Sequence, residues 1–406
     1  MKGDQSGSSR AELTRREATL ALLALAGSSR LCRAEDSTEV ETASAKMLRR
    51  VRFRDADETE RSIAGRVLVR ATDGGLLLED RAARLWTVTA ENLIEETRQD
   101  DAFTPLAASD LGTHLIAEFG EAGDFGELKT TESDHYVVVS NTGQAFVDWT
   151  VAMLERLHDA FRYFWDRQSF GTHDPEFPLP VVIVKSRDQF TQLATYDRTP
   201  GSAKGQGYFL VTANRTTLVD LTASEAASSA RNLAEVQRLM KRNPASVATV
   251  VHEATHQIAF NCGMHRRYAD NPVWLTEGIA MYLETPDLNS RRGWRTIGRV
   301  NRNRLQQFRD FASKRREPDS LKTLLQSNLR FAKADTALDA YAEAWALTHF
   351  LIRTKPRDFV NYLQKIAAKP LLQWDEPETR VADFTAVFGS PPEIDKAMQQ
   401  YLRRLG

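Results

Sequence analysis

The chain has 406 residues, with 54 Lys+Arg against 55 Asp+Glu and a formal net charge of −1. Hydrophobic residues make up 42% and charged residues 27%, a globular composition that excludes a wholly disordered chain. The balanced charge gives no reason to expect nucleic acid or an anionic membrane as partner, and two cysteines, Cys32 and Cys262, exclude a disulfide-stapled scaffold or a Cys-rich zinc module.

Arg10, Arg15 and Arg16 precede a short apolar run from Ala18 to Ala26, and small and polar residues follow. This layout predicts a signal peptide over residues 1–34, with cleavage after Ala34. The run is about nine residues against the roughly 20 that span a bilayer, so no permanent membrane anchor is expected. Arg15-Arg16 fits a twin-arginine signal, while Ala18 and Thr19 depart from its bulky apolar position; the general secretory route is the alternative. The expected location is periplasmic or extracellular. Cleavage there removes Cys32. An amphipathic N-terminal helix of a cytoplasmic protein is the competing reading.

Residues 35–48 are polar and read as a linker. Between 49 and 95, short runs of alternating character (VRFR, RSIAGRVLVRA, LLLED, LWTVTAENL) surround Asp73-Gly74-Gly75, a hairpin signal. Four or five strands predict a small antiparallel β barrel-like module or an open sheet. Phe53, Gly65, Asp73-Gly74 and Leu93 resemble the Sla-homology type of SH3-like module. That resemblance implies docking, hence a docking partner, and no catalytic constellation falls there. Residues 96–130 read as a connection.

From 131 to 406 the pattern is α+β: a small mixed sheet, then a helical half. HYVVVS (135–140) and LPVVIVK (179–185) predict strands, and GYFLVTANRTTLVDLT (207–222) a hairpin turning near Asn214. Over 144–169, Val147, Val151, Leu154, Leu157, Phe161 and Phe164 recur at three and four, which predicts a helix with one apolar stripe.

Residues 250–260, VVHEATHQIAF, carry the strongest signal. His252 and His256 are four apart, so on a helix both project from one face and can bind one Zn²⁺. Glu253, beside the first, is within reach of a water on that ion. Asn243 as N-cap, Pro244 in the first turn and Gly263 past the end delimit the helix. A catalytic zinc needs a third protein ligand and an open fourth position. Asn271 and Pro272 open a second helix, DNPVWLTEGIAMYLE, in which Glu277 follows His256 by 21 positions. An antiparallel return brings Glu277 level with the histidines. Ala259 and Cys262 stand where H-E-x-x-H-x-x-G-x-x-H requires Gly and His, which rules out that arrangement. His265 and Asp270 remain alternative ligands. Glu284, two turns beyond Glu277, reads as a supporting residue.

HEATHQ followed by WLTEGIAMYLE resembles the gluzincin metallopeptidases, the clan of thermolysin and aminopeptidase N. The wording HEATHQ, NCGMHRR and DNPVWLTEG is similar to an uncharacterised zincin-like family of secreted bacterial proteins common in planctomycetes. The resemblance covers roughly residues 130–355. It implies a zincin-like fold and one Zn²⁺ per chain on His252, His256 and Glu277. It also implies Glu253 as general base toward a peptide or protein substrate. In aminopeptidase-like members of the clan a Tyr at a helix start donates to the oxyanion, and Tyr341 matches that position, with Glu343-Ala344 replacing the usual Lys-Gly. His349, further along that helix, reads as a core histidine. The clan aligns peptides on an edge strand, for which TTLVDL (216–221) is the candidate. Arg215 reads as a solvated strand-end charge, the alternative being that it meets a carboxylate, and the basic run 291–304 reads as a solvated helical face. The function expected is an exported zinc-dependent metallopeptidase; the alternative is a non-catalytic, zinc-stabilised binding or scaffold protein.

Overall fold

A computed structural model describes residues 47–223, 229–290 and 293–405. The expected leader, Cys32 and most of the expected linker lie outside the described residues; Met47 and Leu48, the linker's last two, already belong to a strand. No helix among the described residues is long and apolar enough to cross a membrane.

The first sheet is built from β1 (Met47–Arg54), β2 (Glu60–Arg70), β3 (Leu76–Asp80), β4 (Leu85–Val88) and β5 (Leu93–Ala102), all antiparallel, in the order β4-β3-β2-β1-β5. The β2–β3 turn sits at the expected place: Gly74 takes φ +94°, and Asp73 accepts from the Gly75 N–H at 2.9 Å. Val51, Phe53, Val67, Leu76, Leu78 and Val88 form its core. Of the two expected forms the open sheet is the one present, and no barrel closes among the described residues. Its end strands pair elsewhere or face solvent: β5 is a mostly exposed, highly charged strand, and the Leu85 N–H that opens β4 donates to Thr212 O at 2.7 Å. A charged strand cannot cover a barrel interior without burying unpaired charge. The stretch 96–130 is not bare connection: it holds most of β5, a helix α1 (Ala108–Ala122) and the start of the next strand.

The second sheet has the order β6-β7-β8-β10-β9, from β6 (Lys129–Glu132), β7 (Tyr136–Ser140), β8 (Leu179–Val184), β9 (Gly207–Leu210) and β10 (Arg215–Val219). β7, β8 and β10 run parallel; β6 and β9 are antiparallel margins. The central strands are continuously apolar because both faces are covered. Val137, Val139, Val182 and Val184 pack under α1 and α3 (Arg187–Tyr196). Tyr136, Val138, Val181 and Ile183 face the other way, onto α2 (Gln144–Asp166). The predicted stripe of α2 points there, with Val147, Leu154, Leu157 and Phe161 fully buried. The hairpin turns at Asn214, at φ +54°. β10 is therefore an inner strand, and the edge beside the helical half is β9, not 216–221 as expected.

The helical half follows: α4 (Leu233–Arg242), α5 (Pro244–Asn261), α6 (Val273–Leu283), α7 (Arg302–Lys314), α8 (Ser320–Gln326), α9 (Leu329–Ala332), α10 (Ala337–Thr354), α11 (Pro356–Ala367), α12 (Pro377–Phe388) and α13 (Pro391–Arg404). α5 and α6 are buried on nearly every side, so each polar residue on them needs a partner. Gln257 shows how: it donates to Pro180 O and Asn214 O and accepts from Thr216 Oγ1, tying α5 to the sheet. α6 lies against α10 at Gly278, where a Cβ would stand 3.0 Å from Ala344 O.

Candidate metal centre

α5 starts at Pro244, with no side-chain cap from Asn243, and Gly263 ends it in the left-handed region at φ +87°. Asn271 does not cap α6. It folds the α5–α6 loop instead, donating to Arg266 O and Ala269 O while Pro272 leads the helix in. That loop returns the chain antiparallel, and Glu277 arrives level with the two histidines.

His252, His256 and Glu277 converge. His252 Nε2 lies 3.2 Å from His256 Nε2 and 3.2 Å from Glu277 Oε2, and His256 Nε2 lies 3.5 Å from Glu277 Oε1. Two ring nitrogens and a carboxylate at such separations match the edges of a tetrahedron with bonds of about 2.0–2.2 Å. The donor set thus fits one zinc ion with one position left open. All three residues are at most 3% exposed.

The ring of His252 is fixed from behind. Its Nδ1 meets Glu284 Oε2 at 3.2 Å, which turns Nε2 toward the other donors. Glu284 Oε1 in turn accepts from Asn301 Nδ2 at 2.7 Å and lies 3.6 Å from Arg304 Nε. Burial opposes a charge on His252, but Glu277 and Glu284 outweigh it and raise its pKa to about 9. Burial likewise opposes ionisation of Glu277, yet His256 and His252 hold its carboxyl well below the usual range. The carboxylate is thus ready as a ligand, and an ion entering the centre displaces a proton from His252.

Glu253 is not among the three donors. Its Oε2 accepts from the Phe209 N–H of β9 at 3.0 Å, and Gly207 leaves room beside its Cγ. Tyr341, 1% exposed, stands edge-on to Phe331, with its ring 5.8 Å from the Arg304 guanidinium. Arg304 in turn lies 3.6 Å from Glu284 Oε1. Of the alternative ligands, Asp270 is committed to Arg380, at 3.0 Å from Nε, and to Lys369. His265 is buried against Phe260 outside the three-donor group, and burial, aided by His256, pushes its pKa down to about 3. His349 packs between Tyr282, Trp345 and Tyr401 in the core.

Arg215, expected chiefly as a strand-end charge in solvent, is completely buried; its Nη2 donates to both carboxylate oxygens of Asp197 at 2.5 Å and its Nη1 lies 3.4 Å from Glu118 Oε1. The run 291–304 is not one helical face: Arg291 and Arg292 lie outside the described residues, Trp294 is buried under Arg156, and α7 begins only at Arg302, while Arg295, Arg299 and Arg302 are exposed as expected. Arg304 is 2% exposed. Its spacing to Phe308 and Phe311, four and seven positions on, is the sequence signal that puts it on the buried stripe of α7. Asn301 caps α7 through Arg304 N while holding Glu284.

A family profile described as a protein of unknown function, DUF1570, matches residues 246–373. The chain is similar to that family over the span holding His252, Glu253, His256, Glu277, Glu284, Arg304 and Tyr341. No curated protein matches it.

Proposed function

We propose that the chain is an exported zinc-dependent metallopeptidase of gluzincin type, with a zincin-like fold in its second part. The observation that carries this reading is the convergence of His252, His256 and Glu277 at 3.2–3.5 Å beside a non-ligating Glu253. His252, His256 and Glu277 would hold the ion. A zinc ion supplies a Lewis acid for a carbonyl and lowers the pKa of water. Glu253 takes the proton from the attacking water at its carboxylate and passes it to the leaving amine. The Phe209 N–H orients that carboxylate and keeps it off the ligand set. The same contact brings the edge strand β9 to the proton carrier, so an extended peptide aligned on β9 meets it. Tyr341 is the candidate donor to the developing oxyanion, positioned by the Arg304–Glu284 pair. The first sheet remains the candidate docking module.

A second reading, a metal-stabilised scaffold, draws on one observation: Glu253 is 3% exposed and already hydrogen-bonded to backbone. One experiment separates the two. Purified mature protein is analysed for zinc and offered a mixed peptide library, alongside Glu253→Gln. Hydrolysis by the wild type and its loss in a zinc-loaded Glu253→Gln establishes the peptidase. Zinc without hydrolysis in either protein establishes the scaffold.

A further inference from the structure

A second set of nitrogen and oxygen donors shares no residue with the first. Glu155 and His158 are three apart on α2, so both project from one face of that helix. His135 stands immediately before β7. Ligand-type atoms of the three side chains lie within 4.8 Å of one another.

The carboxylate is held in place. Glu155 Oε1 accepts from Ser133 Oγ at 2.7 Å and from the His135 N–H at 2.9 Å, while Oε2 lies 2.7 Å from His135 Nδ1. His158 is the unsatisfied member. It is fully buried, and neither ring nitrogen has a hydrogen-bond partner among the described residues. The nearest carboxylate to its Nδ1 is Asp159, at 3.8 Å. Its ring lies over that of His135, with centroids 3.8 Å apart and planes inclined by 33°. A buried polar group without a partner is destabilising. A coordinate bond removes that cost. The opposing charge nearby, Arg162, is taken up by Asp174 and Thr172. Burial keeps the His158 imidazole neutral, with its pKa down to about 4, which is the form that ligates.

We propose that His135, Glu155 and His158 form a second site, for a divalent transition ion of the zinc class. Two imidazoles and one carboxylate suit such an ion, and water completes the shell on the side where His135 is 24% exposed. The ion takes the place of the hydrogen between His135 Nδ1 and Glu155 Oε2, and His135 then carries its N–H on Nε2. Ser133 and the His135 N–H orient the carboxylate from the second shell. The ion pins the β6–β7 turn to α2, the helix that packs against the histidine helix α5. None of this depends on peptidase activity.

The probe is zinc, counted by native mass spectrometry on the full chain. Wild type is expected to hold two equivalents, and His252→Ala/His256→Ala one. Adding His135→Ala, which leaves the core intact, removes the remaining ion; Ser133→Ala weakens it about tenfold. A double variant that binds no zinc overturns the proposal, as does one whose ion survives His135→Ala. Should the double variant fail to fold, His135→Ala alone must lower the wild-type count by one; an unchanged count overturns the proposal.

Discussion

Glu253 stands one position from a ligand, yet its carboxylate turns to Phe209 rather than to the three donors. That placement separates two kinds of variant. Glu253→Gln keeps the size and the Phe209 contact but removes the proton carrier. It is expected to retain zinc and lose hydrolysis by about 10²–10⁴-fold, measured as kcat with metal content determined in parallel. His252→Ala removes a donor and is expected to lose the ion. Glu284→Gln leaves all donors in place but loosens the grip on His252 Nδ1. Zinc affinity, read by competition with a chelator, should fall about 10–100-fold. Tyr341→Phe is expected to lower kcat by about 10²–10³-fold with metal unchanged. A Tyr341→Phe enzyme at full rate removes Tyr341 from the chemistry.

Elements are held by charges that the sequence reading left in solvent. Arg215 opens β10 and joins it to Asp197 after α3 and Glu118 on α1. Truncating such a buried partner leaves charges uncompensated, so Arg215→Met should cost about 3–5 kcal/mol in denaturant unfolding. The pH dependence follows from Glu118. Burial opposes its ionisation, but Arg215 and Arg84 outweigh that and hold its pKa below the usual value. Its contribution is therefore complete above the unfolded pKa of about 4.5 and is lost as pH falls through the lowered folded value. Wild type should lose stability across that acid window, and Arg215→Met less so, in unfolding curves taken from pH 6 to pH 3. Gly278→Ala tests the α6–α10 contact: its methyl meets Ala344 O and Thr348 and should cost about 1–3 kcal/mol.

These elements also show what a sequence discloses. The stripe of α2 and the limits of α5 rest on neighbours within a few residues, and they were legible. So were His252, Glu253, His256 and Glu277, because helix–loop–helix spacing is local. Arg215 was not, since its partners lie 18 and 97 positions away. β9 was missed as the edge because the parallel pairing of β10 with β8 decides which hairpin strand is inner. Arg304 was misread because charge was weighed above its place on the apolar stripe.

At the scale of the whole molecule, the first sheet is bound to the second part. Arg267, on the α5–α6 loop, donates to Ala83 O at 2.6 Å and pairs with the buried Glu79 at 2.5 Å. Val69, Leu77 and Leu85 meet Ala269 and Leu371 beneath it. Arg267→Ala is expected to loosen the sheet, read as faster proteolysis between 88 and 108 with the metal centre intact. The same joint sets a clock. Val69 is synthesised about 300 residues before Leu371, the residue that covers it. At about 5–20 residues per second, the apolar underside of the first sheet waits roughly 15–60 s for its cover. Arg66 and Glu79, paired across β2 and β3, set charge beside Leu77 on that underside, and charge so placed disfavours pairing of the young chain with its neighbours through that interval.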